Sequence, residues 1–181
     1  VGTGIGGAFC LDGQVLRGAH HMAGEVGRLR IDVADGLAPE ADAGPQVFEQ
    51  VAAGPAILRY YRLLGGTGEA GRGQDVMTLA NDGDEVADRV VRALGRRVGR
   101  VLGWLALAMD PEVVVLGGGV PSPKSAWWAE MDAEMRLALP DSMDSLRLKR
   151  AKQRSDAALL GAARDAFRLA GIPTPTKEEK P

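Results

Sequence analysis

Apolar residues follow the period of a helix in some stretches of the chain and that of a strand in others. From Glu85 to Met109, Val90, Leu94, Val98, Val101, Leu105 and Met109 recur at steps of three and four, which predicts the longest helix. Asp110-Pro111 ends it, because proline cannot continue a helix. The apolar run Val113 to Leu116 follows, then Gly117-Gly118-Gly119, the pattern of a buried parallel strand closing in a glycine loop. Helical spacing also predicts helices over Phe48 to Ala53 and Ala56 to Leu64, split at Gly54-Pro55. Others are expected over about Asp75 to Ala80, Ser125 to Leu139, and Asp156 to Ala170, the last capped by Ser155. Residues 1–17 read as a hairpin in which Ile5 to Leu11 and Gln14 to Arg17 flank the turn Asp12-Gly13. Leu29 to Val33 and Leu146 to Ala151 read as strands, and residues 34–46 and 65–73 as loops. Strands alternating with helices define an α/β class. Ile172 to Pro181, rich in Pro, Lys and Glu, reads as a flexible tail behind a lobe spanning residues 1–171.

Composition narrows the function. Lys and Arg number 22 against 24 Asp and Glu, a net charge of −2, so this chain lacks the basic excess of a nucleic-acid binder. One cysteine, Cys10, excludes an internal disulfide and a cysteine-built zinc site. No apolar run approaches the ~20 residues of a membrane helix. The chain opens at Val1-Gly2-Thr3-Gly4 without an initiator Met, and the expectation is a fragment that lacks an upstream partner. On the long helix, Gly95, Gly99 and Gly103 recur every fourth residue, which predicts close packing of another element. Arg89, Arg92, Arg96, Arg97 and Arg100 read as a solvated face. Trp127 and Trp128 are adjacent, so only one of them faces the core.

Three stretches carry candidate chemistry. In Gly2-Thr3-Gly4-Ile5-Gly6-Gly7, small residues let backbone N–H groups approach a phosphate and Thr3 adds a hydroxyl donor. Gly117-Gly118-Gly119, at the carboxyl end of a strand, leaves a flat surface on which a ligand can lie. In Gly24-Glu25-Val26-Gly27-Arg28, a carboxylate between glycines is suited to accept hydroxyl protons from a polyol. Each alone also fits ordinary turn chemistry or a surface carboxylate.

Further stretches join these three: Leu16-Arg17-Gly18-Ala19-His20, Phe48-Glu49-Gln50-Val51-Ala52-Ala53-Gly54-Pro55-Ala56, Ala80 to Asp84, Pro111 to Val120 and Ala158 to Ala163. In this order they resemble the C-terminal half of a ROK protein (repressor, open reading frame, kinase). The resemblance runs from Gly2 to about Gly171. It implies the C-terminal lobe of an actin-like, ribonuclease H-like ATPase fold, a mixed sheet packed with helices. Gly2, Thr3 and Gly4 resemble a phosphate loop, and Gly117, Gly118 and Gly119 an adenosine loop. Glu25 and Glu49 stand where family members hold a sugar's hydroxyls, and His20 lies in the loop that reaches the sugar.

The chain departs from the family at zinc. Zinc-containing members place a His where this chain has Arg28, and a cysteine run where residues 34–47 have none, so zinc is not expected. Arg28 is expected to order the loop instead, by pairing with Glu25 or Glu49. Cys10 is expected to point toward packed neighbours, and His21 to be structural.

Two functions fit the resemblance. The first is the effector-binding region of a cytoplasmic ROK transcriptional regulator, holding a small sugar or sugar phosphate and touching DNA only through an upstream domain. The alternative is the C-terminal lobe of an ATP-dependent sugar kinase, using ATP and Mg²⁺ and inactive as this half alone. A member with neither activity is the third. A homo-oligomer is expected in each case.

Overall fold

The structure, a computed structural model, describes residues 1–33, 35–37, 44–122, 124–153 and 156–172. They fall into two compact units divided between Arg150 and Ala151. In the first, β1 (Cys10–Leu11) and β2 (Gln14–Val15) form a hairpin, and β3 (Arg30–Ile31) pairs antiparallel with β4 (Gln46–Val47). Then come α1 (Phe48–Ala52), α2 (Gly54–Leu63), α3 (Gly73–Asn81), α4 (Glu85–Met109), β5 (Val113–Leu116), α5 (Ala126–Leu137) and β6 (Arg147–Arg150). β5 and β6 run parallel, with Val113 opposite Arg147 and Leu116 opposite Arg150. The second unit contains α6 (Ala157–Leu169). The expected Ser155 cap and the tail beyond Ile172 lie outside the described residues. No helix among the described residues is long and apolar enough to cross a membrane.

The α/β reading holds, with both parallel and antiparallel pairing, but in three separate two-stranded ladders. The hairpin is shorter than its pattern predicts. Asp12 and Gly13 turn with φ of 50° and 74°, as a two-residue hairpin requires, yet only two residues pair on each side. Upstream, Gly7 N–H bonds to Gly24 C=O at 3.0 Å, so the glycine stretch leaves the hairpin to meet the next loop. Cys10 is exposed, contrary to expectation, because both hairpin strands are. The β5 run is not fully covered: Leu116 is buried, but Val115 is 57% exposed, since a ladder of two strands covers only one face well.

α4 organises the core. Val90, Val91, Leu94, Val98 and Val101 are buried on it, beside Phe48, Ile57, Tyr60, Tyr61 and Trp127. Asp84 caps its first turn by accepting from Ala87 N–H at 2.9 Å. Tyr61 Oη donates to the same carboxylate at 2.6 Å and accepts from Gly68 N–H at 2.8 Å. The Tyr61 hydrogen bond, then the cap, hold the Asp84 carboxyl below its ordinary range. The glycine stripe does what its spacing predicts: Gly95, Gly99 and Gly103 lie against Trp127 C=O, Met131 C=O and Ala138 of the α5 segment. Trp127 is fully buried and Trp128 only partly so.

Arg89 is exposed, as a solvated face requires, but the other four arginines of α4 are engaged. Arg92 and Arg96 both reach Glu130, at 2.9 and 2.8 Å, and Arg100 reaches Glu134 at 3.1 Å, lacing α4 to α5. Arg97 is 2% exposed. Spacing along one helix places these arginines relative to each other but cannot reveal that α5 offers matching carboxylates.

Candidate functional site

The two glycine loops and Glu49 meet around the opening stretch. Val1 C=O accepts from Val120 N–H at 3.3 Å, and the Val1 amino group donates to Gly117 C=O at 2.7 Å. The Gly2 to Gly4 stretch and the Gly117 to Gly119 loop thereby run side by side. Gly118, at φ 101°, has no room for a side chain, since a Cβ would strike Val1 C=O. Gly2 C=O accepts from Gly54 N–H at 2.8 Å, which ties the stretch to the start of α2. Gln74 on α3 donates its side-chain amide to Gly119 C=O at 3.1 Å. Thr3, Gly118 and Gly119 are exposed.

Glu49 adjoins the same stretch. Its Oε2 accepts from Ile5 N–H at 2.7 Å, and a Cβ on Gly4 would collide with that oxygen. The carboxylate thus sits against a position that only glycine can fill. Glu25 opens a 3₁₀ turn, Val26–Arg28, whose Gly27 packs against Ile5 C=O and faces Glu49 Oε2. The Glu25 residue itself is exposed. His20 lies in the exposed turn closed by His21 N–H to Gly18 C=O, and among the described residues no hydrogen bond or ion pair brings it to Glu25 or Glu49. Glu49 therefore sits at the glycine-lined junction, Glu25 opens the turn whose Gly27 packs beside it, and His20 lies in a separate exposed turn.

Among the described residues Arg28 does not make the pairing expected of it. It is exposed and, among the described residues, forms no ion pair with Glu25 or Glu49; Glu49 is already engaged by Ile5 N–H. The described segment at Asp35, after β3, is held by a different residue. Arg97 donates to both carboxylate oxygens of Asp35, at 2.7 and 3.0 Å, and to Val51 C=O at 2.9 Å. Its guanidinium lies 4.5 Å from the Tyr60 ring centre. Burial alone pushes the Asp35 carboxyl up, but the Arg97 hydrogen bonds and charge outweigh it and hold the group below the ordinary range. Sequence reasoning misses Asp35, Arg97 and Gln74. For Arg97 a signal exists: it lies three residues after Leu94 and four before Val101, on the apolar stripe itself.

Among the described residues no three His, Cys, Asp or Glu side chains gather as metal ligands. With Cys10 exposed on the hairpin and His20 and His21 in an exposed turn, the soft donors do not converge. Chelator is expected to leave the melting temperature unchanged. Arg28→Ala is expected to leave amide exchange in residues 24–37 unchanged. A chelator-induced fall in melting temperature, or loosening by Arg28→Ala, would restore a metal or Arg28 as the brace.

The chain belongs to the ROK family: the family model matches residues 1–166. Its fold is similar to that of a ROK hexokinase from Thermus thermophilus, with a TM-score of 0.77 and 34% identity over 94% of this chain and 56% of that one. A ROK glucokinase from Streptomyces griseus, in complex with glucose and AMPPNP, gives a TM-score of 0.74 and 28% identity over 93% of this chain and 59% of that one. A ROK transcriptional regulator, a homologue of the E. coli MLC protein, gives 0.68 and 28% over 83% and 40%. The actin-like ATPase fold expected from sequence is thus the fold of its relatives. The chain spans about half the length of the curated relatives it matches.

Proposed function

We propose that this chain is the nucleotide- and sugar-binding lobe of an ATP-dependent ROK sugar kinase. The observation that carries the reading is the junction of the two glycine loops, with the Glu49 carboxylate seated against Gly4 and Ile5 N–H. A kinase needs a phosphate-approaching backbone and a hydroxyl-binding carboxylate within one site, and catalysis of phosphoryl transfer is mostly positioning and charge stabilisation. In this reading Gly2, Thr3 and Gly4 face the phosphates of ATP, and Gly117 to Gly119 give the adenosine a surface without side chains. Glu49 and Glu25 accept hydrogen bonds from sugar hydroxyls, and His20 belongs to the rim of the sugar pocket. ATP would bring Mg²⁺, which neutralises phosphate charge when bound. No residue of this chain is assigned as the base. The glucokinase with glucose and AMPPNP supports the substrate classes, a hexose and ATP.

The regulator reading, which the sequence alone favours, keeps one observation on its side. The chain holds none of the thiolates of zinc-containing relatives, and a sugar sensor without turnover tolerates a less rigid loop. The fold similarity to a ROK regulator is compatible with both. Calorimetry on the complete protein tests the proposal. Glucose and AMPPNP should each bind, and Glu49→Gln should weaken glucose about tenfold or more, the loss of one charge-assisted hydrogen bond. AMPPNP affinity should be unaffected by that change. Glucose binding indifferent to Glu49→Gln would remove Glu49 from the sugar site.

A further inference from the structure

We propose that the buried Asp35–Arg97 pair is a positioning device that sets the Glu49 carboxylate for its ligand. The inference deepens the sugar-site reading and rests on it for the identity of that ligand. Arg97 leaves α4 and grips two separate segments at once. Two donors close on Asp35, in the loop after β3, and a third bonds Val51 C=O. Val51 lies on α1, two residues after Glu49.

α1 needs an external hold. It has five residues and no side-chain cap, too short to keep a helical geometry by itself. Its connections are legible. At one end Phe48 N–H bonds Leu29 C=O at 2.7 Å. Next to it, Glu49 Oε2 takes Ile5 N–H. At the other end Arg97 holds Val51 C=O. The Asp35 segment is steadied by two longer contacts from the same helix: Arg100 to Asp32 C=O and Arg89 to Gly36 C=O, both at 3.5 Å. Arg97 is the residue that joins that segment to α1.

Stability alone gives no reason for an ion pair here, because apolar side chains of similar volume in a core serve as well or better. What an apolar replacement cannot supply is the fixed fork of a guanidinium, with donors aimed in two directions while its face stacks on Tyr60. Arg97 is 2% exposed and the Asp35 side chain 13%, so the pair is shielded from water and its geometry is not shared with solvent. The consequence is directional. Loosening Arg97 frees Val51 C=O, α1 tilts, and the Glu49 carboxylate leaves Ile5 N–H.

The test compares Arg97→Lys, which keeps the charge and loses the fork, with Arg92→Lys on the same helix, whose partners are Asp88 and Glu130. Amide exchange is measured on the full chain, and each rate is normalised to the slow core amides of Leu94 and Met131 to remove any change in global stability. Arg97→Lys should speed exchange of the Ile5 amide about tenfold or more beyond that baseline, as expected for losing one hydrogen bond to a charged group. Arg92→Lys should not. Should Arg97→Lys fail to fold, Asp35→Asn, nearly isosteric and uncharged, takes its place with the same expectation. Ile5 exchange that moves only in step with Leu94 and Met131 overturns the proposal, because a merely structural pair would behave so. Glucose titration then separates the two ideas. If the wild type binds glucose, Arg97→Lys should weaken binding about tenfold, and unchanged affinity overturns the proposal. If the wild type binds none, the sugar reading fails while the exchange result still decides the device.

Discussion

Gly99→Ala destabilises the first unit, although alanine is the better helix former. In an exposed helix the change would stabilise by about 1 kcal/mol. Here a Cβ at residue 99 would run into Met131 C=O and come within 2.9 Å of the Glu134 Cβ. Neither neighbour is the end of a flexible chain, so α5 must move as a body. Overpacking of this kind costs about 1–3 kcal/mol and sometimes more, and separating the helices also loosens the Arg92, Arg96 and Arg100 bridges to Glu130 and Glu134. The cost therefore exceeds the propensity gain. Gly95→Ala, against Trp127 C=O, should behave alike. Gly103→Ala should be milder, since its nearest neighbour is the Ala138 side chain near the end of α5. Thermal melting of the three variants gives the order, and a rise in melting temperature for Gly99→Ala would show that the helices are not in such contact.

Asp35→Ala is expected to cost about 3–5 kcal/mol, because it strands a buried guanidinium. The acid dependence of the same pair has a definite sign. The Asp35 carboxyl is depressed in the folded state, so it stabilises fully above its unfolded pKa and loses that contribution as pH falls through the folded value. The stability difference between wild type and Asp35→Asn should accordingly be greatest above about pH 4 and shrink on further acidification. Asp75, Asp84 and Glu130 are also held low, so the wild-type curve alone mixes several carboxylates. Urea titrations of the two proteins from neutral to acid pH isolate Asp35. A difference that is constant with pH would mean the carboxylate is not charged against Arg97.

Much of this architecture is legible in the amino-acid sequence. The period of α4, a helix beginning near Ser125 and the Asp12-Gly13 turn rest on local rules and appear where those rules put them, while the break expected at Gly54-Pro55 falls one residue earlier, at Ala53, and Gly54-Pro55 opens α2. The glycine stripe announces a close neighbour without saying which. What local pattern cannot carry is pairing at a distance. β4 hides behind Pro45 in a loop-like stretch and forms because β3 is beside it. Glu130 and Glu134 become partners of Arg92, Arg96 and Arg100 only once α5 lies on α4. In the site, the glycine loops and Glu49 are recognisable through family order, whereas their mutual placement depends on contacts such as Ile5 to Glu49 and Val1 to Val120. Arg28 stands out in the sequence because it replaces an expected ligand. The residue that braces the loop, Arg97, reads as a solvated charge as long as its charge is given more weight than its position on the apolar stripe.

If this lobe serves phosphoryl transfer from ATP to a sugar, as proposed, the complete protein releases ADP only when a sugar is present. ATP with Mg²⁺ is incubated with glucose, N-acetylglucosamine or N-acetylmannosamine, and ADP is followed against a sugar-free control. ADP formation is expected to depend on one of these sugars and to fall steeply in Glu49→Gln. Sugar binding without sugar-dependent ADP release, in a protein that melts as a folded species, would contradict it and assign the lobe to sensing.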